Sequence, residues 1–322
     1  MTTAEKFLRM GLAIGLFLAV LALILLIASR FKGRSADRWV AVTLLAPTAV
    51  MVSVGLLYPA LRTVYQSFLD APGTSFVGLD NYITIFTDSG QLTVLRNTFL
   101  WVVVTPFVAT GIGLLYAILI DRARFESAAK ALIFLPMAIS FVGASIIWKF
   151  VYEYRPDQPG VEQIGLLNQL LVMVGGTPQQ WLLNEPWNTL FLIVVMIWIQ
   201  AGFAMTVLSA AIKAIPEDIV EAARLDGVGK LGMFRYVTLP TIRPAVVVVL
   251  TTIAIATLKV FDIVRTMTGG AFNTSVVANE FYSQSFRSAN QGLGAALAVL
   301  LFVLVVPIVA YNVRQLKAAE AR

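Results

Sequence analysis

Seven apolar runs divide the chain, at about 8–28, 40–61, 97–120, 131–151, 188–212, 245–263 and 294–313. Each is close to or above the roughly 20 residues that a helix needs to cross about 30 Å of hydrocarbon. A backbone in lipid has no water to satisfy its amides, so each run is read as a helix. No other feature constrains the fold as much: the expected class is an all-α integral membrane protein with about seven transmembrane helices. Composition agrees, since 58% of the 322 residues are hydrophobic and only 13% are charged, against about a quarter charged in soluble domains. The run at 8–28 exceeds the 7–15-residue core of a signal peptide and is expected to be a retained helix.

Lysine and arginine set the expected orientation. One group comprises Arg30, Lys32, Arg34 and Arg38; Arg122, Arg124 and Lys130; Lys213, Arg224, Lys230, Arg235 and Arg243; and Arg314, Lys317 and Arg322. The alternate loops, 69–92, 152–187 and 264–292, are poorer in these residues. The positive-inside rule places the first group and the C-terminus in the cytoplasm. Seven spans then put the N-terminus outside, a placement that Lys6 and Arg9 oppose. The net charge of +6 is spread between the apolar runs, which are topology signals rather than a nucleic-acid face. The chain has no cysteine and no histidine. Thiol chemistry, thiolate metal sites and imidazole acid–base catalysis are therefore excluded, and no metal or cofactor is expected in this chain.

The loop between the fifth and sixth spans carries EAARLDGVGK at 221–230. A helix is expected at 216–226. Pro216 suits its first turn, Glu217 and Asp218 complement its dipole, and Gly227 can end it in a left-handed cap. Ile219, Ala222 and Ala223 share a face, with Val220 beside them. So short a helix, with two small alanines, suits close docking by another backbone, although an ordinary surface connector would have the same local chemistry. GVGK at 227–230 is not a phosphate loop. The position five before the Gly-Lys pair is Arg224, and Leu231 stands where Ser or Thr is needed.

EAARLDG, with Leu239–Pro240 beyond it, resembles the EAA loop of permease subunits of ABC importers. SFLD at 67–70, FVGLDNY at 76–82, LRNTFLWVVV at 95–104, LPMAIS at 135–140 and FDIVRTMTGG at 261–270 extend the resemblance over nearly the whole chain to maltose-type carbohydrate permeases. With VVANEFYSQSF at 276–286 the look is closest to α-glucoside permease subunits. The resemblance implies a type I importer permease core at 39–322, preceded by a helix and basic loop at 1–38, with the cytoplasmic coupling loop at about 213–243. It assigns ATPase coupling to Glu221, Ala222, Ala223, Asp226, Gly227, Leu239 and Pro240. It implies a second permease subunit, two ATP-binding subunits that hold ATP and Mg, and an extracytoplasmic solute-binding protein, in a bacterial or archaeal cytoplasmic membrane. The maltose-type subunit has a large folded outer domain, whereas the equivalent loop here, 152–187, is short.

Polar residues inside spans are costly and are default functional candidates. By resemblance, Gln200 and Phe203 in the fifth span, Lys259 and Asp262 in the sixth, and Ser145 in the fourth are expected to contact sugar. Lys259 and Asp262, spaced i,i+3, are expected on one helix face. Each position has a plainer use. Lys259 can pair with Asp262 and snorkel, Gln200 can bond a neighbouring helix, and Phe203 can pack. Arg96 and Asn97 are read as helix-end residues.

The expected function is the permease subunit of an ATP-driven importer of a di- or oligosaccharide, with hydrolysis in a separate subunit. The alternative is an ion-coupled secondary transporter. That reading needs intramembrane carboxylates, for which Asp262 is the one good candidate, and inverted repeats are not evident. A membrane enzyme lacks any nucleophile–base constellation.

Overall fold

The computed structural model describes residues 3–31, 36–121, 124–156, 158, 160 and 162–320, without the side chains of Thr3 and of 316–320. Lys32, Arg34, Arg122 and Arg322 lie outside the described residues, as does the Lys317 side chain. Among the described residues the regular structure is helical, and one isolated bridge joins Leu69 to Phe76. Six helices are long and apolar enough to cross a membrane, and a bent pair supplies a seventh crossing if it counts as one.

The chain forms two compact units, Met1–Tyr65 and Gln66–Arg322; the division expected from sequence stands at 38/39. The first unit holds α1 (Thr3–Arg30) and nearly all of α2 (Ala36–Gln66), with a π turn at Ser53–Leu57. Both helices are apolar all round, with Phe7, Leu16, Leu45, Met51 and Leu56 exposed, as suits a helix bathed in lipid.

The second unit contains α3 (Asp80–Thr87), α4 (Ser89–Ile120), α5 (Glu126–Ala138), α6 (Phe141–Val151), α7 (Leu166–Met173), α8 (Asn188–Lys213), α9 (Glu217–Leu225), α10 (Lys230–Leu258), α11 (Asp262–Met267), α12 (Val277–Tyr282) and α13 (Gln291–Glu320). Helix α8 is its axis: 61% of its apolar window is buried, against 33% for α4 and for α10. Helices α4 and α8 run side by side in the same direction. Trp101 packs with Leu192 and Met196, and farther along Ala109 and Ala117 pack with Ala204 and Leu208. Gly113 permits this approach, since a Cβ there would lie 2.4 Å from Ala204 Cβ and 2.7 Å from the Met205 nitrogen. Small residues at the contact are the usual solution where lipid provides no hydrophobic drive between helices.

Three expected boundaries shift. The third span starts at Ser89, not near 97, because Asp88 caps it by accepting from the Gln91 amide at 3.0 Å. Asn97 is therefore two turns inside the helix, not at its end. The fourth span, expected as one helix over 131–151, is two arms meeting at 103°. Pro136 sits in a 3₁₀ turn at Leu135–Ala138, Ile139 is extended, and the Ser140 hydroxyl caps α6 by accepting from the Gly143 amide at 3.1 Å. A proline followed by a new N-cap ends one helix and begins another. The sixth span runs from Lys230 to Leu258, so it starts inside the expected coupling loop and stops short of Lys259.

The outward-facing segments, by the orientation expected from charge, are fastened by buried asparagines. Asn97 donates to the carbonyls of Asn273 (2.6 Å) and Ser275 (3.0 Å), and Asn188 donates to that of Phe272 (2.7 Å). The Thr98 hydroxyl accepts from the Val277 amide at 2.9 Å. Phe272 and Asn273 have positive φ, 54° each, a conformation uncommon outside glycine that surrounding structure must over-determine. In the short loop at 152–187, Asn168 is fully buried, donates to the carbonyls of Glu153 and Gln179, and accepts from the Gln179 amide and the Trp181 indole. That one amide satisfies four partners and folds the loop upon itself.

Candidate functional site

The expected loop helix is α9, Glu217–Leu225, with Pro216 at its N-cap and Asp226 at its C-cap. Gly227 has φ +77°. Its amide donates to the Arg224 carbonyl at 3.0 Å, and the Val228 amide donates to that of Ala223 at 3.1 Å. These paired bonds, one across four residues and one across six, are the Schellman arrangement. The EAARLDG stretch thus encodes a helix together with its stop.

The faces differ from those expected. Ala223 is 9% exposed and packs on its own chain, whereas Glu221 and Ala222 are exposed, so the alanines do not share one outward face. Ile219 is 45% exposed and Leu225 89%, and Leu231 and Tyr236 beyond the cap reach 80% and 71%. These four apolar side chains are exposed in an otherwise charged loop. Leu239–Pro240 follows directly on a π turn at Met233–Thr238. Pro240 cannot donate to the carbonyl four residues back and its ring presses on it, and the wider turn accommodates both effects. Among the described residues, no side chain of 214–229 forms a hydrogen bond or ion pair. A cavity of about 460 Å³ lies behind α9, lined by Glu217, Val220 and Arg224 on the helix and by Asp121, Lys213 and Met233 opposite.

Next to that cavity four charges form a ring. Lys213, the last residue of α8, holds Glu126 and lies 3.5 Å from Asp121. Lys130 lies 2.6 Å from Glu126 and 3.9 Å from Asp121 and also donates to the Ser209 hydroxyl. Glu126 stands in the first turn of α5 and Lys213 in the last turn of α8, the ends that each sign favours. In sequence Lys130 and Lys213 serve only as topology markers; their pairing across 87 residues, Lys213 to Glu126, has no local signal.

The expected sugar contacts are dispersed. Gln200 is 9% exposed in α8, with no hydrogen bond recorded for its amide. Phe203, one turn on, packs on the cluster around Ala109 and Met205. Trp198 meets Trp148 edge to face at 5.8 Å. Ser145 is fully buried and donates to the Phe141 carbonyl of its own helix at 2.6 Å. Lys259 and Asp262 do not share a helix face. Lys259 is the exposed C-cap of α10 (φ −97°, ψ 13°), and Asp262 opens α11 after a break at Val260–Phe261. No ion pair joins the two among the described residues.

The family model described as "binding-protein-dependent transport system inner membrane component" matches residues 109–317. The chain is 48% identical over 274 residues to the osmoprotective compounds uptake permease protein GgtC of Synechocystis, covering 85% of this chain and 98% of that one. It is 46% identical over 271 residues to the α-glucoside transport system permease protein AglF of Rhizobium meliloti, covering 84% and 80%. Among solved structures it matches a chain of a bacterial ABC transporter involved in the import of the acidic polysaccharide alginate, with a TM-score of 0.75, 22% identity and coverage of 88% and 97%. The last likeness is one of fold.

Proposed function

This chain belongs to the family of inner membrane components of binding-protein-dependent transport systems, and from that membership we propose that it is one permease subunit of an ATP-driven importer of an α-glucoside-like di- or oligosaccharide. The single observation that carries the coupling half of this reading is α9: a short helix with a Schellman stop at Gly227 and exposed Ile219 and Leu225, in a loop that makes no side-chain bonds of its own. Such a helix is built to be held by something else. The partner is the cytoplasmic ATPase, with Glu221, Ala222 and Asp226 on the exposed side, Ala223 packed on this chain, and Leu239–Pro240 just beyond the turn at 233–238 on which α9 rests. Two ATP-binding subunits, a second permease subunit and an extracytoplasmic binding protein complete the importer, and the C-terminus lies in the cytoplasm. The loaded binding protein docks outside, ATP closes the ATPase dimer, and the coupling helices are drawn together as the path turns outward. Hydrolysis returns the path to the cytoplasmic side.

The sugar half is supported by the names of the relatives at 46% and 48% identity and by a polar residue kept in the most buried helix, Gln200, beside the aromatic face of Phe203. Carbohydrates bind through this pairing of an apolar ring face with hydroxyl hydrogen bonds. Lys259 and Asp262 flank the outward end of the same region, and Ser145, which donates to the Phe141 carbonyl, can join as an acceptor once its buried oxygen is uncovered. The test is ATPase activity of the reconstituted four-component complex across a disaccharide panel. Stimulation by α-linked glucosides through the binding protein is expected. Uptake that persists without ATP and collapses with an ionophore would replace this reading with ion coupling.

A further inference from the structure

We propose that the ring of Asp121, Glu126, Lys130 and Lys213 locks the inner ends of α4, α5 and α8 into one rigid block, which receives the displacement of the coupling helix. The inference rests on the coupling reading above and adds the residues through which the displacement enters the membrane.

Only Ala214, Ile215 and Pro216 separate Lys213 from the start of α9, and Ile215 is 9% exposed. A pull on α9 therefore reaches α10 through the short link at 226–229 and reaches α8 at Lys213. From there the ring spreads it to the end of α4 through Asp121 and to the start of α5 through Glu126 and Lys130. Lys130 returns the link to α8 at Ser209, which is 3% exposed. Each lysine meets both carboxylates, so one broken pair leaves the three helix ends joined. The carboxylate side chains are only 14% and 21% exposed and that of Lys130 22%, which limits the screening that weakens open surface pairs, while Lys213 is half exposed and its pairs are screened more. A second fastening lies farther along the same helices. Gly202 of α8 sits against α5 so closely that a Cβ would come 2.5 Å from the Ile133 carbonyl oxygen. Opposite the ring, by contrast, α9 is separated from Asp121 and Lys213 by the cavity of about 460 Å³. That gap leaves no direct packing between α9 and the ring; α9 rests instead on the turn at 233–238, and its displacement reaches the ring through the chain at 214–216.

The absence of cysteine from this chain allows spin labels to be placed in pairs. Labels at Ala128 of α5 and Ala214 at the end of α8, both exposed, are to be measured in the complete transporter, nucleotide-free and ATP-trapped. Their separation is expected to stay fixed in the otherwise unaltered chain and to change on trapping when Lys213→Gln is added. In parallel, Glu126→Gln, Lys213→Gln and the double variant are each expected to lower sugar transported per ATP hydrolysed by about threefold or more. The double variant should be no worse than the poorer single one, as for groups acting as a unit, and Lys213→Arg should restore most of the ratio. ATPase binding and membrane insertion should be unchanged in all of them. A label separation that changes on trapping in the unaltered chain overturns the rigid block, as does an unchanged transport ratio in both single variants. If no ATPase assembles with the unaltered chain, the coupling reading fails and this inference with it.

Discussion

The outward frame and the inward loop of the second unit are held in opposite ways. Around Asn97, Thr98, Asn188 and Asn168, buried side chains bond backbone carbonyls and amides from segments up to 179 residues away. In residues 214–229 the chain relies on backbone bonds within the helix and its cap, and it leaves Leu225 almost fully exposed. The frame is complete in itself. The loop leaves Ile219 and Leu225 uncovered by this chain. In physical terms, a buried amide bonded to two carbonyls defines one geometry and resists change. A capped helix with an exposed apolar edge keeps its own shape and can be moved whole.

The largest expected effect comes from breaking the frame. Asn97→Ala leaves the carbonyls of Asn273 and Ser275 without their buried donor, at about 1–3 kcal/mol for each stranded group. Thermal unfolding in detergent should shift markedly downward, and the complex should be recovered in poor yield. An unchanged melting temperature would show that these bonds are not what holds the segment at 272–277. Next comes Gly227→Val. No atom lies within 4 Å of a Cβ at this position, so the change acts only through φ, at about 1–2 kcal/mol for a left-handed residue. Its melting temperature should stay near that of the parent while ATPase co-purification or coupled uptake falls. The opposite pattern, with stability lost and coupling kept, would reverse the contrast between the two regions.

Smaller effects sharpen the middle ground. Gln200→Ala and Phe203→Ala should raise the sugar concentration needed for half-maximal uptake several-fold, the about 0.5–1.5 kcal/mol of one neutral hydrogen bond, with assembly intact. Unchanged concentration dependence would leave both residues as packing. The smallest effect is expected at Asp70. Its carboxylate accepts from the amides of Ser75 and Thr74 and from the Thr74 hydroxyl, and these bonds, that from Ser75 first, hold it below the ordinary carboxylate range. A depressed folded value means that the stabilisation is present at neutral pH, is intact down to about pH 4, and is lost as pH falls further through the folded value. Asp70→Asn should therefore flatten the acid limb of stability below about pH 4, with the loss falling at neutral pH and stability in acid little changed.

What the sequence shows depends on how local the cause is. The helix α9 is legible because its stop depends on neighbours: Gly227 supplies the positive φ, and Ala223 and Arg224 supply the carbonyls. The apolar runs located the spans but not their ends. Hydropathy does not register the polar first turns of α4, so Asn97 was read as terminal although Asp88 starts the helix. In LPMAIS the proline and the capping serine that break the fourth span are both present, yet the apolar run continues through them. Lys259 and Asp262 were placed by helical spacing, and α10 ends at Leu258 with no glycine or proline to announce it. The ring of Asp121, Glu126, Lys130 and Lys213 depends on tertiary placement of three helix ends, and its lysines read equally well as topology markers.

Docking of the ATPase is tested most directly at Leu225, an aliphatic side chain that is 89% exposed. The measurement is recovery of the ATP-binding subunits with affinity-purified Leu225→Asp, alongside ATP-driven sugar uptake in vesicles. Loss of the ATPase and of uptake, from a chain that inserts and melts as the parent does, is the expected result. Full recovery of both would contradict docking of the ATPase on this helix.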